Sequence, residues 1–524
     1  MRQAPQAKTP LTGNRRLVAL LAVTAVAVLA YHAWDDWQLS QPGFHDRACW
    51  FGEAVGLAAR CGILTVPENR RIAESRTIRL PVVVLEAPDK SALQAPILYV
   101  TGGPGGQAYL GEDDFIAGWR DEQALFPPGH DLIIIGQRGT GLEEADFDCP
   151  EFEPMEVSLG AYRRGGTPPD RRALLIEAAR ACAERLTGDG IDLTAYNSAE
   201  SAADIAELRR VLGIAEWNLY GISYGTRLVL ATLRDHPEGI RSVILDSVFP
   251  PQASNLADLA SFYRQALEHL FRRCAADAAC NSQYGDLALR YTQAKEKLRE
   301  QPLLFRLNQV EYRSKLVLPI DDKLFDYMIY DALYDQEMRK GIPELLRATA
   351  VNVDKFLLDR VRDYLSYETL DSNAVYLSHV CHDEMPFEDP TAIAAAAEQA
   401  GPLAHVIVES WDAYLCDVWP AGQADPLEAE PVESDVPALL LSGAYDPITR
   451  APLARAAADH LPNGYVYEFS DSGHGVLYQS PCAQRLSAAF LADPWQRPAG
   501  LCPPDSFAGD LEARATLPEP PAAE

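Results

Sequence analysis

The chain has 524 residues, more than one ordinary domain, which predicts a main domain with a large insertion or a second domain. Hydrophobic residues make up 48%, as in a globular protein with a real core. Lysine and arginine total 46 against 75 acidic residues, and the net charge of −29 argues against nucleic acid and anionic membrane surfaces as partners. This charge suits substrates that carry a positive group, although a soluble acidic surface is the simpler explanation.

The N-terminus has the pattern of a secretory signal. Basic residues precede an uncharged run, 17–30, and Asp35 and Asp36 follow it. Without cleavage, the run through Trp34 is just long enough to serve as a membrane anchor. We therefore predict an exported protein, periplasmic or secreted, in which residues 1–34 are a cleaved signal or an anchor. That anchor is the only membrane contact predicted.

Ten cysteines, an even number in an exported chain, predict disulfides. The sequence does not fix their connectivity, and free buried thiols remain the alternative. No C-x-x-C pair occurs, so a zinc or thioredoxin-like site has no support, and we predict no metal or other cofactor. Sequential pairing gives Cys49–Cys61, Cys149–Cys182, Cys274–Cys280, Cys381–Cys416 and Cys482–Cys502.

From 45 to 248, short apolar runs rich in β-branched residues alternate with helical patterns. The strand-like runs are 78–85, 97–100, 132–135, 217–220 and 243–245, and the helical patterns include 203–212 and 226–234. Strands this uniformly apolar are covered on both faces. The alternation therefore predicts a mostly parallel sheet flanked by helices.

The pattern changes at about 249. Between 249 and 429 strand signals are scarce, and the helical stretches are 256–275, 287–300, 343–363 and 392–398. Over 430–502 the alternation returns, with strands at 438–441 and 465–469 and helices at 450–460 and 483–491. We predict a helical cap inserted into one α/β domain, followed by a Pro/Ala/Glu-rich tail, 503–524, that frays.

The segment Gly221-Ile222-Ser223-Tyr224-Gly225 fits G-x-S-x-G and stands between a predicted strand and a predicted helix. That setting places the serine on a sharp turn, where side chains at 221 or 225 would clash with the neighbouring strand or helix. A serine is a weak nucleophile unless a base activates it. We therefore predict Ser223 as the nucleophile.

Its partners should lie near the C-terminus. His474, in Ser-Gly-His-Gly after the predicted strand 465–469, is the predicted base, whereas His460 ends a helix and fits a C-terminal cap. Asp446 follows strand 438–441 and is the predicted acid, which gives the order serine, acid, histidine. Asp246 is the competing acid, although with Ser247 it also fits a turn or a helix cap.

An oxyanion hole requires N–H groups aimed at the developing negative charge. The Tyr224 amide should supply one. The glycine-rich loop after strand 97–100 should supply the other, from Gly103 or from Gly102, since Pro104 has no N–H.

Taken together, these motifs resemble the exported branch of the prolyl aminopeptidase and tripeptidyl aminopeptidase family of α/β-hydrolases. The resemblance covers about 45–500, and the stretches that carry it are 61–69, 102–106, 137–141, 221–226, 445–447 and 472–474. It implies an α/β-hydrolase fold with a helical cap and metal-independent hydrolysis of peptides or amides from a free amino end. It also assigns nucleophile, acid and base to Ser223, Asp446 and His474.

Two departures from the family pattern lie near the substrate entrance. Thr101 stands where cytosolic members have histidine, and Gly136 replaces an aspartate before Gln137-Arg138. Neither removes a catalytic group, but both leave the specificity open. For Arg138 we predict a structural role in the loops, with substrate contact as the alternative.

In this family, acidic cap residues bind the substrate's ammonium group. The resemblance therefore implies Glu384 or Asp383 for this role, and a solvated acidic turn held by the Cys381 disulfide is the alternative. The predicted partner is a peptide or a small amide or ester. Two other functions remain open: an esterase, lipase or acylase with the same triad, and a non-catalytic binding protein on a hydrolase scaffold.

Overall fold

The computed structural model describes residues 21, 33–34, 36–51, 56–108, 110–111, 113–140, 147–307, 316–351, 354–366, 372–410 and 412–506. The predicted leader, 1–34, thus lies almost wholly outside the described residues, as do Gly141 and the end of the tail, 507–524. Within the described part, no helix is both long and apolar enough to cross a membrane.

Among the described residues, nine strands form one sheet in the order β1-β2-β3-β5-β4-β7-β8-β11-β12. Pairing is parallel from β5 through β12 and antiparallel among β1, β2, β3 and β5. A second sheet of three short strands has the order β6-β10-β9. The strands are β1 Gly43–Arg47, β2 Ala59–Pro67, β3 Thr77–Leu85, β4 Ile97–Val100, β5 Leu132–Ile135, β6 Tyr162–Arg163, β7 Trp217–Ile222, β8 Ile240–Asp246, β9 Leu303–Arg306, β10 Leu316–Ile320, β11 Ala438–Gly443 and β12 Gly464–Phe469.

Helices cover both faces of the large sheet and dominate the stretch between β8 and β11. They are α1 Asp113–Gln123, α2 Met155–Ser158, α3 Arg171–Gly188, α4 Ser198–Val211, α5 Tyr224–Asp235, α6 Asn255–Ala276, α7 Ala278–Tyr284, α8 Leu287–Glu300, α9 Asp322–Tyr334, α10 Gln336–Lys340, α11 Ile342–Ala350, α12 Asp354–Ser366, α13 Asn373–His379, α14 Pro390–Ala400, α15 His405–Val408, α16 Asp412–Leu415, α17 Ala451–Ala458, α18 Val476–Gln479 and α19 Pro481–Ala492. A π-helical turn, Val380–Glu384, continues α13.

The central strands are buried on both faces because successive side chains point to opposite sides of the sheet. In β8, Val243 and Leu245 join one hydrophobic core and Ile244 joins the other. In β11, Leu440 packs on the first side and Leu439 on the second. This double burial accounts for the almost unbroken apolar runs in the sequence.

The strands before and after the predicted cap are neighbours in the sheet. β8 and β11 are hydrogen-bonded neighbours, so the residues between them form an insertion next to the carboxyl edge of the sheet. The helical insertion that we predicted also contains two strands, β9 and β10. They pair with each other, and β10 also pairs with β6 from the earlier part of the chain. We therefore keep 45–248, 249–429 and 430–502 as proposed boundaries.

The predicted strands occur where the apolar runs indicated, with ends that differ by a few residues. The helix predicted at 343–363 is instead two helices, α11 and α12. The first residues of the predicted tail are held in place rather than frayed: the amide of Ser470, after β12, donates to Ser506 O at 2.9 Å.

Five disulfides are present among the described residues, and they join the pairs that sequential pairing predicts. Because disulfides persist in oxidising compartments, the five bonds suggest an exported protein.

Candidate active site

Ser223 lies on the turn between β7 and α5, with φ of +58° and ψ of −128°. A Cβ atom on Gly221 would lie 2.5 Å from Gly225 O, and one on Gly225 would lie 2.8 Å from Thr101 O. Main-chain atoms cannot step aside cheaply, so both positions require glycine. The turn has the strained strand-to-helix geometry that exposes a nucleophile at the top of such a sheet.

Asp446 and His474 come together beyond the ends of β11 and β12. Nδ1 of His474 lies 2.9 Å from Oδ2 of Asp446, whose Oδ1 accepts N–H bonds from Ile448 and Thr449. Burial raises the pKa of the Asp446 carboxyl, but the charge of His474 and these hydrogen bonds outweigh burial and lower the pKa to about 2. At neutral pH, Asp446 is therefore an anion that holds the imidazole with its Nδ1 hydrogen toward the carboxylate.

Thr449 is a member of this site that the sequence reading missed. Its hydroxyl donates to Asp446 Oδ2 at 2.7 Å and lies 3.2 Å from His474 Nδ1. The available signal was a threonine three residues after the acid, a spacing at which side chain and backbone commonly hydrogen-bond. Thr449 fixes the carboxylate orientation that His474 meets.

Asp246, the competing acid, has a different role. Its carboxylate accepts N–H bonds from Val476 and Leu477, both at 2.8 Å, and its main-chain oxygen accepts the Ser223 amide at 2.9 Å. Burial raises its pKa. Asp246 thus connects the turn that carries Ser223 to the segment after His474. The carboxylate that contacts the His474 imidazole is that of Asp446.

His460 is remote from this arrangement. Its Nδ1 lies 4.0 Å from Glu433 and its side chain is 37% exposed. It follows the end of α17, as expected for a residue near a helix C-terminus.

The glycine loop after β4 lies directly beside Ser223. A Cβ atom on Gly102 would lie 3.0 Å from Ser223 Cβ, and Gly103 has φ of +115°, a region that favours glycine. Gln137 braces the loop, because its side-chain amide donates to Thr101 O at 3.0 Å and to Thr101 Oγ1 at 2.7 Å. The loop and the first residue of α5, Tyr224, therefore flank Ser223, as an oxyanion hole requires.

Arg138 is fully buried among protein groups that accept its hydrogen bonds. Its Nε and Nη2 contact both carboxylate oxygens of Asp204, at 2.8 and 2.9 Å, and its Nη1 donates to Glu68 O and Ala195 O. This fork geometry uses the planar guanidinium fully. The structural role predicted for Arg138 agrees with these contacts.

Asp383 is the centre of a buried polar cluster. Its carboxylate accepts hydrogen bonds from the Ser198 amide at 3.0 Å and the Ser198 hydroxyl at 2.6 Å, and it meets Nδ1 of His379 and His382 at 3.1 and 3.0 Å. Burial opposes ionisation, but the two histidines hold the pKa of Asp383 far below its ordinary value. Because both oxygens are occupied by the protein's own donors, Asp383 is a poor partner for a substrate amine.

Glu384 lies next in the π-helical turn and is also buried. The pKa of the Tyr224 hydroxyl is raised mainly by burial, next by the charge of Asp383, and to a smaller extent by the charge of Glu384. Amine binding by Glu384 stays a prediction.

His379, Cys381 and His382 are residue types that can bind a metal, but here each is engaged with another group of the protein. Cys381 is joined to Cys416, and Nδ1 of both His379 and His382 contacts Asp383. His382, Asp383 and Glu428 do lie close enough together to share an ion, but Asp383 is already saturated by protein donors.

Comparison with known families agrees with this architecture. The profile of the family described as alpha/beta hydrolase fold matches residues 95–481, a range that contains Ser223, Asp446 and His474. The chain belongs to that family, and its class is that of a hydrolase.

Several curated proteins are similar to parts of the chain. The tripeptidyl aminopeptidase of Streptomyces lividans is 29% identical over 206 residues, 38% of this chain and 36% of that protein. Serine protease Hip1 of Mycobacterium bovis is 23% identical over 317 residues, 57% of this chain and 60% of that protein. Proline iminopeptidase of Xylella fastidiosa is 35% identical over 80 residues, 15% of this chain and 25% of that protein. The chain thus spans less than two thirds of each of these relatives.

Among solved structures, the chain is similar to an esterase from Thermogutta terrifontis, with a TM-score of 0.37 and 14% identity over 83% of this chain and 99% of that one.

Proposed function

We propose that the chain is an exported serine hydrolase of the aminopeptidase type, which releases an N-terminal residue or short peptide through an acyl-enzyme on Ser223. The observation that carries the proposal is the pairing of His474 Nδ1 with the buried, ionised Asp446 at 2.9 Å, at the sheet edge where Ser223 stands on a strained turn.

The reaction proceeds in two steps. His474 Nε2 takes the Ser223 proton as the Ser223 oxygen attacks the scissile carbonyl, and Asp446 stabilises the imidazolium that forms. The negative oxygen is held by the amides of Tyr224 and Gly103, with Gly102 as the alternative donor. His474 then protonates the leaving amine as the C–N bond breaks, and an activated water cleaves the acyl-enzyme in the reverse sequence.

Two observations favour a peptide with a free amino end over other acyl substrates. The similar proteins include a tripeptidyl aminopeptidase and a proline iminopeptidase. Glu384 is a buried cap acid close to Tyr224, and a buried carboxylate is a suitable partner for an ammonium group. We assign amine binding to Glu384 and a structural role to Asp383.

The five disulfides support an oxidising location, periplasmic or secreted. In this proposal residues 1–34 are a signal or an anchor, and the cap, 249–429, covers the site.

The nucleophile is tested by fluorophosphonate labelling of the purified protein. Ser223→Ala should abolish labelling, whereas Ser282→Ala, at an exposed serine on α7, should leave it unchanged. Labelling that survives Ser223→Ala in folded protein would overturn the assignment of the nucleophile.

The substrate class is tested with aminoacyl and tripeptidyl amides, each with a free and an acetylated N-terminus, and with p-nitrophenyl esters. Cleavage of the free-amine amides alone, and its loss in Glu384→Gln, would support the proposal. Equal cleavage of acetylated and free forms, or of esters alone, would indicate an esterase or acylase. No turnover by a labelled, folded protein would favour the binding-protein alternative.

A further inference from the structure

A cavity of about 260 Å³ lies in the proposed cap, among α9, α10, α11 and α12. This volume is slightly below the roughly 300–1,000 Å³ of whole-ligand pockets, so it suits one long side chain. Its walls are mainly apolar or aromatic, formed by Met328, Ala332, Met338, Ile342, Leu345 and Tyr364.

Tyr334 connects the cavity to the catalytic centre. It lines the cavity, and its ring centroid lies 4.7 Å from that of His474. Its carbonyl oxygen accepts the His474 amide at 3.1 Å and the Gln479 side-chain amide at 2.9 Å. Tyr334 thus belongs both to the wall of the cavity and to the surroundings of the predicted base.

One carboxylate lines this apolar space. Asp331 lies three residues before Tyr334 on α9, and its side chain is open to the cavity. It has no hydrogen bond or ion pair with any residue that the structure describes. Asp331 is accessible at the cavity wall, so a ligand that enters the cavity can reach its carboxylate directly.

No cation among the described residues lowers the pKa of Asp331. Burial alone raises the pKa of its carboxyl, to about 7, and no positive charge of the described residues counteracts that shift. Arg360 also lines the cavity, but it does not contribute to this pKa. A ligand cation would therefore meet an uncompensated carboxylate.

We propose that this cavity is a substrate subsite for a lysine-like side chain, in which an aliphatic stem packs against the apolar walls and the terminal ammonium binds Asp331. The inference rests on the proposed function in one respect, because it takes the substrate to be a peptide. Charge-assisted hydrogen bonds are stronger than neutral ones. The negative net charge of the chain also favours the approach of a cationic substrate.

The first experiment compares lysine with norleucine, which keeps the stem and lacks the amine, in otherwise identical p-nitroanilide substrates at pH 8. The wild type should prefer lysine in kcat/KM by at least about tenfold, from a hydrogen bond to a charged group. Asp331→Asn should abolish the preference through KM. Glu337→Gln, at an acid on α10 that is 77% exposed, is the matched control and should keep the preference.

A second experiment does not depend on turnover. Lysinamide and norleucinamide are titrated calorimetrically into the Ser223→Ala protein, with and without Asp331→Asn. Asp331-dependent binding of lysinamide would support the subsite even if the wild type cleaved none of the peptides, in which case the proposed function alone would fail.

Three results would overturn the inference. The first is an unchanged lysine preference in folded Asp331→Asn, and the second is a wild-type preference for norleucine in both experiments. The third is binding that is lost when the α-amine of lysinamide is acetylated but kept when its ε-amine is acetylated. That result would assign Asp331 to the α-amine.

Discussion

Gly443 and Gly473 are in main-chain contact. A Cβ atom on Gly443 would collide with Gly473 O and lie 2.5 Å from Ser472 O. Asp446 follows Gly443 by three residues and His474 follows Gly473 directly, so this contact sets the separation of acid and base. Gly473 also lies close to α9, because a Cβ atom on Gly473 would lie 2.5 Å from the carbonyl oxygen of Tyr334.

Gly473→Ala should therefore displace His474 without unfolding the protein. We expect kcat to fall by about 100-fold, since a shift of 1 Å in a catalytic group has an effect of this size. The control is Gly118→Ala in α1, where a Cβ atom meets nothing within 4 Å. A wild-type kcat in Gly473→Ala would show that the close approach of Gly473 to the Tyr334 carbonyl does not position His474.

The two acids near the site should respond differently to the same substitution. Asp446→Asn should lower kcat by about 10⁴-fold while the protein stays folded, because an amide favours the wrong imidazole tautomer. Asp246→Asn should mainly lower the free energy of unfolding, by about 1–3 kcal/mol, since its carboxylate satisfies two buried amides. Steady-state kinetics with urea unfolding distinguish the two roles, and the reverse pattern would make Asp246 the catalytic acid.

Arg138→Lys should lower the free energy of unfolding by about 3 kcal/mol, because an ammonium cannot reproduce the fork to Asp204 in a buried site. Arg210→Lys, at a pair with Glu207 that is 67% exposed at the arginine, should change it by less than about 1 kcal/mol. Urea unfolding measures both. A stable Arg138→Lys protein with a raised KM would instead make Arg138 a substrate contact.

Asp331→Asn should change the pH dependence of stability. The raised pKa of about 7 means that the native state keeps a proton that the unfolded chain releases near pH 4. Wild-type stability therefore falls relative to the variant as pH rises from about 4 to about 7.

Thermal unfolding across this range should show the variant gaining Tm over the wild type, and the gain should level off above pH 7. The other polar groups around Asp331 are Tyr334, Tyr364 and Arg360, which do not titrate between pH 4 and 7. A constant Tm difference between variant and wild type would contradict the pKa assigned to Asp331.

The sheet was predictable because its strands carry their own signal. A strand buried on both faces is apolar at every position, as 97–100 and 132–135 are, and the structure has strands at those bounds. The nucleophile turn was predictable for a similar reason, since Gly221 and Gly225 are fixed by contacts within one strand–turn–helix unit.

Features that depend on distant contacts were not predictable. β9 and β10 are only four and five residues long. They pair with each other, and β10 also pairs with the distant β6. The bonds of Asp383 to Ser198 join segments 185 residues apart, and no local pattern marks them. The cavity beside Asp331 is formed by four helices, and the sequence gives no measure of the space between them.

A main-chain hydrogen bond from His474 N–H to Tyr334 O joins the loop that carries His474 to the end of α9, in the proposed cap. A cap that lifted away as a rigid lid would remove this acceptor from the loop that carries the base. Such a movement of the proposed cap would have to break the hydrogen bond between His474 N–H and Tyr334 O. A chimera that exchanges the proposed cap for that of another hydrolase should keep the end of α9 together with Gly473. Without that pair, we expect His474 to be displaced.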